Sequence, residues 1–214
     1  MEHRTSVDRI VSLLKEGNTR YVRGKHESHL RHEENRLKTS NEGQRPAVAV
    51  LSCSDSRVPV EVLFDCSIGD IFTVRVAGNV AGSSESGSLE YAADHLGISV
   101  LLVMGHTQCG AVTAAVNGQG SGGGVGHILS KIVPAVNKTR AAYPGLSGNE
   151  LVEAVVRANV WQTIEELLNT SPAIRESVRT GRLEILGACY DIRDGRIEWM
   201  GIHPKQEQLL GQTT

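Results

Sequence analysis

Short apolar segments that alternate with helical patterns are the feature that most constrains the fold of this chain. Five segments have the length and apolar character of buried strands: Ala47–Leu51, Ile71–Val76, Ser99–Gly105, Leu183–Ala188 and Ile197–Met200. Between them, apolar residues recur with helical spacing in Ser86–Leu96, Ala111–Val116, Ile128–Val136 and Leu151–Leu168. This alternation predicts an α/β fold with a mostly parallel central sheet covered by helices. A turn at Asp194-Gly195 makes the last segment a C-terminal antiparallel strand.

The first 45 residues have a different pattern. Val7, Ile10, Val11 and Leu14 lie on one face of a helix, whereas residues 23–45 are charged and contain few large apolar side chains. We therefore predict an N-terminal helical arm and polar connector in residues 1–45, followed by an α/β domain in residues 46–214. The apolar face of the arm must be covered, either by the chain's own core or by a partner chain.

Composition limits the surroundings and partners of the protein. The 214 residues carry a formal net charge of −2 without a basic stripe, so we expect no nucleic-acid partner. The apolar runs are too short to span a bilayer and the N-terminus lacks a signal-peptide pattern, so we expect no membrane partner and a cytoplasmic location. There, cysteines bind metals, react or are buried more often than they form disulfides. The glycine-rich stretch Asn117–Gly126 lacks the lysine of a phosphate loop and is predicted to be a mobile connector.

Three side chains that can bind a metal follow two of the predicted strands. Cys53 comes after the first strand, His106 after the third, and Cys109 at the start of the next helix. Because the carboxyl ends of parallel strands meet at one edge of a sheet, we expect these side chains to meet in space. Two thiolates and one imidazole suit zinc, and three protein ligands leave the fourth position open, as in catalytic zinc sites. Cys66 and Cys189 do not have the spacing to complete the set.

Asp55 and Arg57 add a second chemical feature to this edge. Asp55 lies two residues after Cys53, so an extended segment directs both side chains to the same side. Arg57 can form a charge-assisted pair that keeps Asp55 ionised. Such a carboxylate can accept a hydrogen bond from a metal-bound hydroxide, or it can become the fourth ligand itself. An ordinary Asp–Arg pair in a surface turn is the alternative interpretation, and it contributes little on its own.

These segments resemble a known family. Cys53-Ser-Asp55-Ser-Arg57 and His106-Thr-Gln-Cys109-Gly110 are similar to the paired signature of β-class carbonic anhydrases, and Arg75–Asn79 and Ser88–Tyr91 resemble its intervening motifs. The resemblance implies that Cys53, His106 and Cys109 bind zinc and that Asp55 and Arg57 form a catalytic dyad. The implied activity is that of a carbonate dehydratase: reversible hydration of carbon dioxide to bicarbonate and a proton by zinc-bound hydroxide.

The same resemblance implies a substrate pocket and an assembly. Gln44 matches a glutamine that hydrogen-bonds bicarbonate, and Gly110 matches a position near the substrate where a side chain would crowd it. Phe72 and Tyr91 match apolar pocket residues that the family contributes from the partner subunit. The resemblance therefore implies a homodimer, with a tetramer built from two dimers as the further possibility.

Three other functions are alternatives to this one. Hydrolysis of carbonyl sulfide or carbon disulfide could use the same zinc scaffold. A non-catalytic, zinc-stabilised binding module would have no use for an open metal position beside Asp55 and Arg57. Nucleotide binding is disfavoured because no Gly-x-Gly-x-x-Gly turn follows the first strand. His95 and His127 are candidates for the proton acceptor of a hydration reaction, and a structural role is the alternative for each.

Overall fold

A five-stranded sheet forms the centre of the protein. The computed structural model describes residues 7–119 and 122–211. The strands are β1 (Val48–Ser52), β2 (Ile71–Arg75), β3 (Val100–His106), β4 (Glu184–Tyr190) and β5 (Ile197–Gly201). They lie in the order β2-β1-β3-β4-β5; the first four are parallel and β5 is antiparallel to β4. The predicted α/β class is confirmed, and the ends of every predicted strand differ from the observed ends by at most two residues.

Helices cover both faces of this sheet. They are α1 (Val7–Val22), α2 (His32–Glu42), α3 (Val60–Leu63), α4 (Ser83–Tyr91), α5 (Gly110–Val116), α6 (Gly123–Ala142), α7 (Gly148–Thr170), α8 (Pro172–Arg179) and α9 (Gln206–Gly211). Because successive strand residues point to opposite faces, Ala49 and Leu51 pack with α4, α7 and α8, whereas Val48 and Val50 pack with α1 and α3. None of the described helices combines the length and apolarity needed to cross a bilayer.

Two segments predicted to be connectors are partly helical. A short 3-10 helix (Ser28–Arg31) and α2 occupy the middle of the polar connector. No residue of α2 is buried, and a helix that is exposed all round needs no apolar face, so its sequence shows no apolar periodicity from which a helix could be predicted. Glu33 and Glu34 stabilise its N-terminus through the helix dipole. In the glycine-rich stretch, residues 123–126 form the first turn of α6 instead of a connector. Residues 120 and 121 of that stretch lie outside the described residues.

The N-terminal arm packs on the chain's own sheet. Its predicted helix is confirmed as α1, and Ile10 and Leu14 retain only 4% and 3% of their exposure. Asn18 secures the arm, because its amide donates to the carbonyl of Gly195 at 2.9 Å and accepts the N–H of Ile197 at 3.1 Å. The sequence allowed the apolar face of the arm to be covered by the chain's own core or by a partner chain, and in this structure the chain's own core covers it.

A buried carboxylate ties the connector to the core. Asp65 has a fully buried side chain that accepts the Arg20 guanidinium at 2.6 Å and the backbone N–H groups of Glu27 and Ser28 at 3.0 and 2.9 Å. Burial alone would raise the pKa of Asp65, but the bonds from Arg20 and Ser28 outweigh it and lower this pKa to about 2. Folding therefore favours the ionised form of this side chain.

Replacing Asp65 by asparagine is expected to lower the free energy of unfolding by roughly 2–3 kcal/mol at pH 7. The folded pKa of about 2 lies below the unfolded value, so the stabilisation is complete above pH ~4 and disappears as the pH falls through 2. Urea unfolding of wild type and Asp65→Asn should therefore converge between pH 4 and pH 2. The exposed Asp94 provides the control: Asp94→Asn should change stability by less than about 0.5 kcal/mol. A wild-type advantage that persists at pH 2 would contradict this account.

Candidate metal centre

Cys53, His106 and Cys109 meet at the carboxyl edge of the sheet. Parallel pairing of β1 with β3 aligns Ser52 with Met104, so Cys53 emerges beside the end of β3, and Cys109 caps α5 three residues after His106. One ligand atom from each of the three lies within 4.8 Å of the others, and all three residues are buried. No other group of this kind occurs among residues 7–119 and 122–211. The predicted convergence is confirmed.

The imidazole of His106 is oriented for metal binding. Its Nδ1 lies 2.8 Å from the carbonyl oxygen of Thr107, and because that oxygen can only accept, Nδ1 carries the proton. The Nε2 atom then presents a lone pair. It is buried and has no hydrogen-bond partner. An unpaired buried acceptor is costly, so this arrangement indicates that Nε2 is reserved for a ligand.

Backbone N–H groups surround the sulfur of Cys53. Gly78 donates to this sulfur at 3.2 Å and Asp55 at 3.4 Å. The thiol of Cys109, 4.0 Å away, has the largest effect and, with these N–H groups, lowers the pKa of Cys53. The hydrogen bond with Cys53 and burial raise the pKa of Cys109. A cation between them would favour ionisation of both thiols.

The geometry fits zinc. Two sulfurs bound to a tetrahedral zinc at ~2.3 Å each would lie about 3.8 Å apart. The sulfurs of Cys53 and Cys109 are 4.0 Å apart, so only a small adjustment is needed. The donor set is two sulfurs and one nitrogen, and no fourth described residue completes it. Three protein ligands leave one coordination position for a small molecule, which is the arrangement of catalytic zinc sites.

Asp55 and Arg57 form a paired unit beside this centre. The guanidinium of Arg57 donates to both carboxylate oxygens of Asp55, at 2.9 and 2.8 Å, and the Arg57 backbone N–H donates at 2.9 Å. These bonds hold the pKa of the Asp55 carboxyl far below its usual range. Arg57 also donates to the carbonyl of Gln108 at 3.3 Å, which links the unit to the turn between His106 and Cys109. Asp55 is therefore ionised and turned toward Arg57.

The sequence did not indicate the roles of Arg75 and Gly78 in this site. Arg75 is in register with Ser52, and its side chain donates to the carbonyls of Cys53 at 3.1 Å and Asp55 at 2.6 Å. Gly78 has a φ of 70°, and an added Cβ would lie 2.7 Å from the Ile132 side chain. Both residues stabilise the loop of Cys53. The motif Arg75–Asn79 is visible in the sequence, but its contacts with the Cys53 loop depend on how β2 pairs with β1.

Four other predicted residues have mixed placements. Gly110 follows Cys109 directly and is exposed, whereas Gln44 lies before the amino end of β1, at the opposite edge of the sheet. Phe72 pairs in register with Ala49. Ala49 lies four residues before Cys53, a separation of about 13 Å along a strand. The ring of Tyr91 lies 6.3 Å from that of Phe72. Within one chain, the structure therefore brings only Gly110 to the metal centre.

The two histidines considered as proton acceptors lie on the surface. His95 has its ring 5.1 Å from that of Tyr91, and both residues are exposed. His127 is exposed in the first half of α6. Neither has a hydrogen bond that would orient its ring toward the metal ligands among the contacts of the described residues.

Comparison with known proteins gives a consistent result. A family profile described as carbonic anhydrase matches residues 48–197. Carbonic anhydrase 2 of Mycobacterium tuberculosis is 36% identical over 187 residues, 86% of this chain and 87% of that protein. A crystal structure of a β-carbonic anhydrase from Aspergillus fumigatus matches with a TM-score of 0.74 and 28% identity, covering 85% of this chain and 88% of that one. One of two tetrameric β-carbonic anhydrases from Sordaria macrospora matches with a TM-score of 0.65 and 27% identity, covering 81% and 90%.

Proposed function

Because this chain belongs to the β-carbonic anhydrase family, we propose that Cys53, His106 and Cys109 bind its catalytic zinc and that Asp55 and Arg57 form its catalytic dyad. The protein is a zinc-dependent carbonate dehydratase that interconverts carbon dioxide and bicarbonate. One observation carries the residue assignment: three buried ligand atoms lie within 4.8 Å of one another, and the histidine nitrogen among them is unpaired.

Each proposed residue has a distinct task. When bound, zinc supplies the Lewis acidity that makes a water molecule nucleophilic near neutral pH. Cys53 and Cys109 provide negative charge at the buried floor of the site, and His106 is held in one tautomer by Thr107. Asp55 is kept ionised by Arg57, so it can only accept hydrogen bonds. It therefore orients a group that donates an O–H and disfavours one that presents a lone pair.

Stopped-flow measurement of carbon dioxide hydration tests this function. We expect hydration to be far faster than hydrolysis of carbonyl sulfide, because the metal ligands and the Asp55–Arg57 pair match the carbonic anhydrase pattern. Release of sulfide faster than hydration would favour the carbonyl sulfide hydrolase considered from the sequence. A zinc-loaded protein inactive toward both substrates would favour a binding module.

Gly110 provides a prediction in which activity and stability change in opposite directions. Its φ is not positive, and an added Cβ would meet no atom within 4 Å. Gly110→Ala should therefore leave zinc content unchanged and raise stability by up to about 1 kcal/mol. If this space belongs to the substrate, kcat/KM for hydration should fall by roughly 10-fold, the effect of 1.4 kcal/mol. Gly211 is an exposed glycine of α9 that is also without neighbours, and Gly211→Ala should leave kcat/KM unchanged.

We infer that the protein self-associates and that its minimal unit is a homodimer. Gln44, Phe72 and Tyr91 lie away from the metal centre of their own chain, so the roles implied for them require the site of a second chain. Exposed large apolar residues also occur on the arm and connector, including Leu13 at 46% and Leu30 at 75% exposure. The tetrameric Sordaria macrospora relatives support assembly of two such dimers. Sedimentation showing a fully active monomer at dilute concentration would refute this proposal.

We also propose a cytoplasmic location, with carbon dioxide and bicarbonate as the small-molecule partners. The proposal is supported by Cys53 and Cys109, which are free thiols with sulfurs 4.0 Å apart and need reducing surroundings to remain available for metal. The division into an arm at 1–45 and a catalytic domain at 46–214 stays a prediction. Fluorescence microscopy of the tagged full chain tests the cytoplasmic location.

A further inference from the structure

The turn between His106 and Cys109 contains one residue that the sheet does not hold. Thr107 is fixed by β4, because its N–H donates to the carbonyl of Tyr190 at 2.9 Å and its hydroxyl donates to Asp191 at 3.2 Å. Gln108 follows with a φ of 56°, in the left-handed region that residues with a Cβ adopt only at a cost. A turn that places two metal ligands therefore contains a strained residue, which must be held by contacts from elsewhere.

Both peptide groups of Gln108 have such contacts. Its N–H donates to the Oε1 of Glu153 at 3.0 Å, and its carbonyl accepts from Arg57 at 3.3 Å. Arg57 already has a role in the site through its pair with Asp55. Glu153 has no such role: it lies on α7, 45 residues from Gln108 in sequence, and none of the residues assigned to the site belongs to that helix.

Helix α7 is a rigid support for this contact. Three residues next to Glu153 on α7, Val152, Val155 and Val156, are buried at 7%, 0% and 1% exposure and belong to the same apolar cluster as Cys53 and Cys109. The position of the Glu153 backbone relative to the ligands is thus set by core packing. Its half-buried side chain needs only to extend to Gln108 to fix the peptide between the two ligands of the turn.

We propose that Glu153 is a positioning residue of the metal centre: by accepting the Gln108 N–H it holds the turn in the conformation that spaces His106 and Cys109 for zinc. This inference rests on the proposed assignment of those two residues as zinc ligands. Groups that hold metal ligands in place from outside the coordination sphere commonly change metal affinity by about 10–100-fold. The contact depends on a hydrogen-bond acceptor at the correct reach, not on the charge of the carboxylate.

Three substitutions of Glu153 separate reach from charge, with zinc release as the measurement. Glu153→Gln keeps an acceptor oxygen at the same distance, whereas Glu153→Asp keeps the charge but is one methylene too short, and Glu153→Ala lacks both. Each zinc-loaded variant is mixed with an excess of a chromophoric chelator, and the rate of zinc transfer is followed by absorbance. We expect release about 10-fold faster or more from the Asp and Ala variants, and release within about twofold of wild type from the Gln variant.

Glu150 supplies the matched control. It is an exposed glutamate one turn earlier on α7, so Glu150→Ala should weaken the helix slightly without changing zinc release. If the Ala variant does not fold, the Asp and Gln variants still decide the question. Release within twofold of wild type for all three, or equally fast release from the Gln and Ala variants, would overturn the proposal. A wild type that binds no zinc would instead refute the metal assignment itself.

Discussion

Cys109→Ala is expected to lose both the metal and the activity. Wild type should contain about one zinc per chain, whereas the variant should contain less than about a tenth of that after dialysis, because two protein ligands remain. Carbon dioxide hydration should fall by about 10⁴-fold or more, since the lost metal is the source of the nucleophile. Metal analysis and stopped-flow hydration on the same samples measure the two effects together.

Cys66→Ala is the matched control for this experiment. Cys66 is half-buried, burial raises the pKa of its thiol to about 12, and it does not belong to the group of side chains that could hold a metal. Its replacement should leave zinc content and hydration at the wild-type level. Full zinc occupancy in Cys109→Ala would refute the ligand assignment, and loss of zinc from Cys66→Ala would show that the assay reports unfolding.

Asp55→Asn is expected to separate metal binding from catalysis. The asparagine NH₂ would face the guanidinium of Arg57, so the paired hydrogen bonds at 2.9 and 2.8 Å cannot both form, and the fixed negative charge is lost. The ligands are untouched, so zinc content should stay at about one per chain. We expect kcat/KM for hydration to fall by about 10²–10³-fold, the range usual for loss of a preorganised hydrogen bond that acts in the transition state. Zinc analysis and stopped-flow kinetics distinguish this result from that of Cys109→Ala.

The hairpin between β4 and β5 contains a further Asp-x-Arg sequence, Asp194-Gly-Arg196, that serves as control. Asp194 accepts the backbone N–H of Arg196 at 2.9 Å, and its carboxylate lies 3.8 Å from that guanidinium, on an exposed turn. Asp194→Asn should leave hydration within about twofold of wild type, because an exposed pair contributes little. A loss in Asp55→Asn no larger than in Asp194→Asn would remove Asp55 from the catalytic dyad.

The pH dependence of hydration should not arise from protonation of Asp55. Its pKa is held far below the usual range by the bonds from Arg57, so the carboxylate is ionised at every pH at which the protein is assayed. A carboxyl group whose pKa is lowered in the folded protein is protonated only at a pH lower than the one that protonates an ordinary carboxyl group. Protonation of Asp55 therefore cannot explain a change in rate between mild acid and alkaline pH.

Much of the fold and the chemical centre of the site can be predicted from the sequence because the relevant signals are local. A buried strand is an apolar run, and the residue after its carboxyl end has a known place at the sheet edge. Cys53 and His106 each occupy such a position, and cysteine and histidine are distinctive residues. Local contacts also explain the Asp55–Arg57 pair, because two positions of separation allow the paired hydrogen bonds seen in the structure.

Tertiary structure decided the features whose signal is not local. A glutamate on a long helix is an ordinary surface residue, and only the docking of α7 on the sheet brings Glu153 to the N–H of Gln108. Arg75 contacts the Cys53 loop because β2 pairs with β1 in one particular register. The arm could have been covered by its own core or by a partner, and the buried Ile10 selects the first in this structure. Side-chain bonds to distant backbone depend on packing angles and register, and no periodicity in the sequence carries that information.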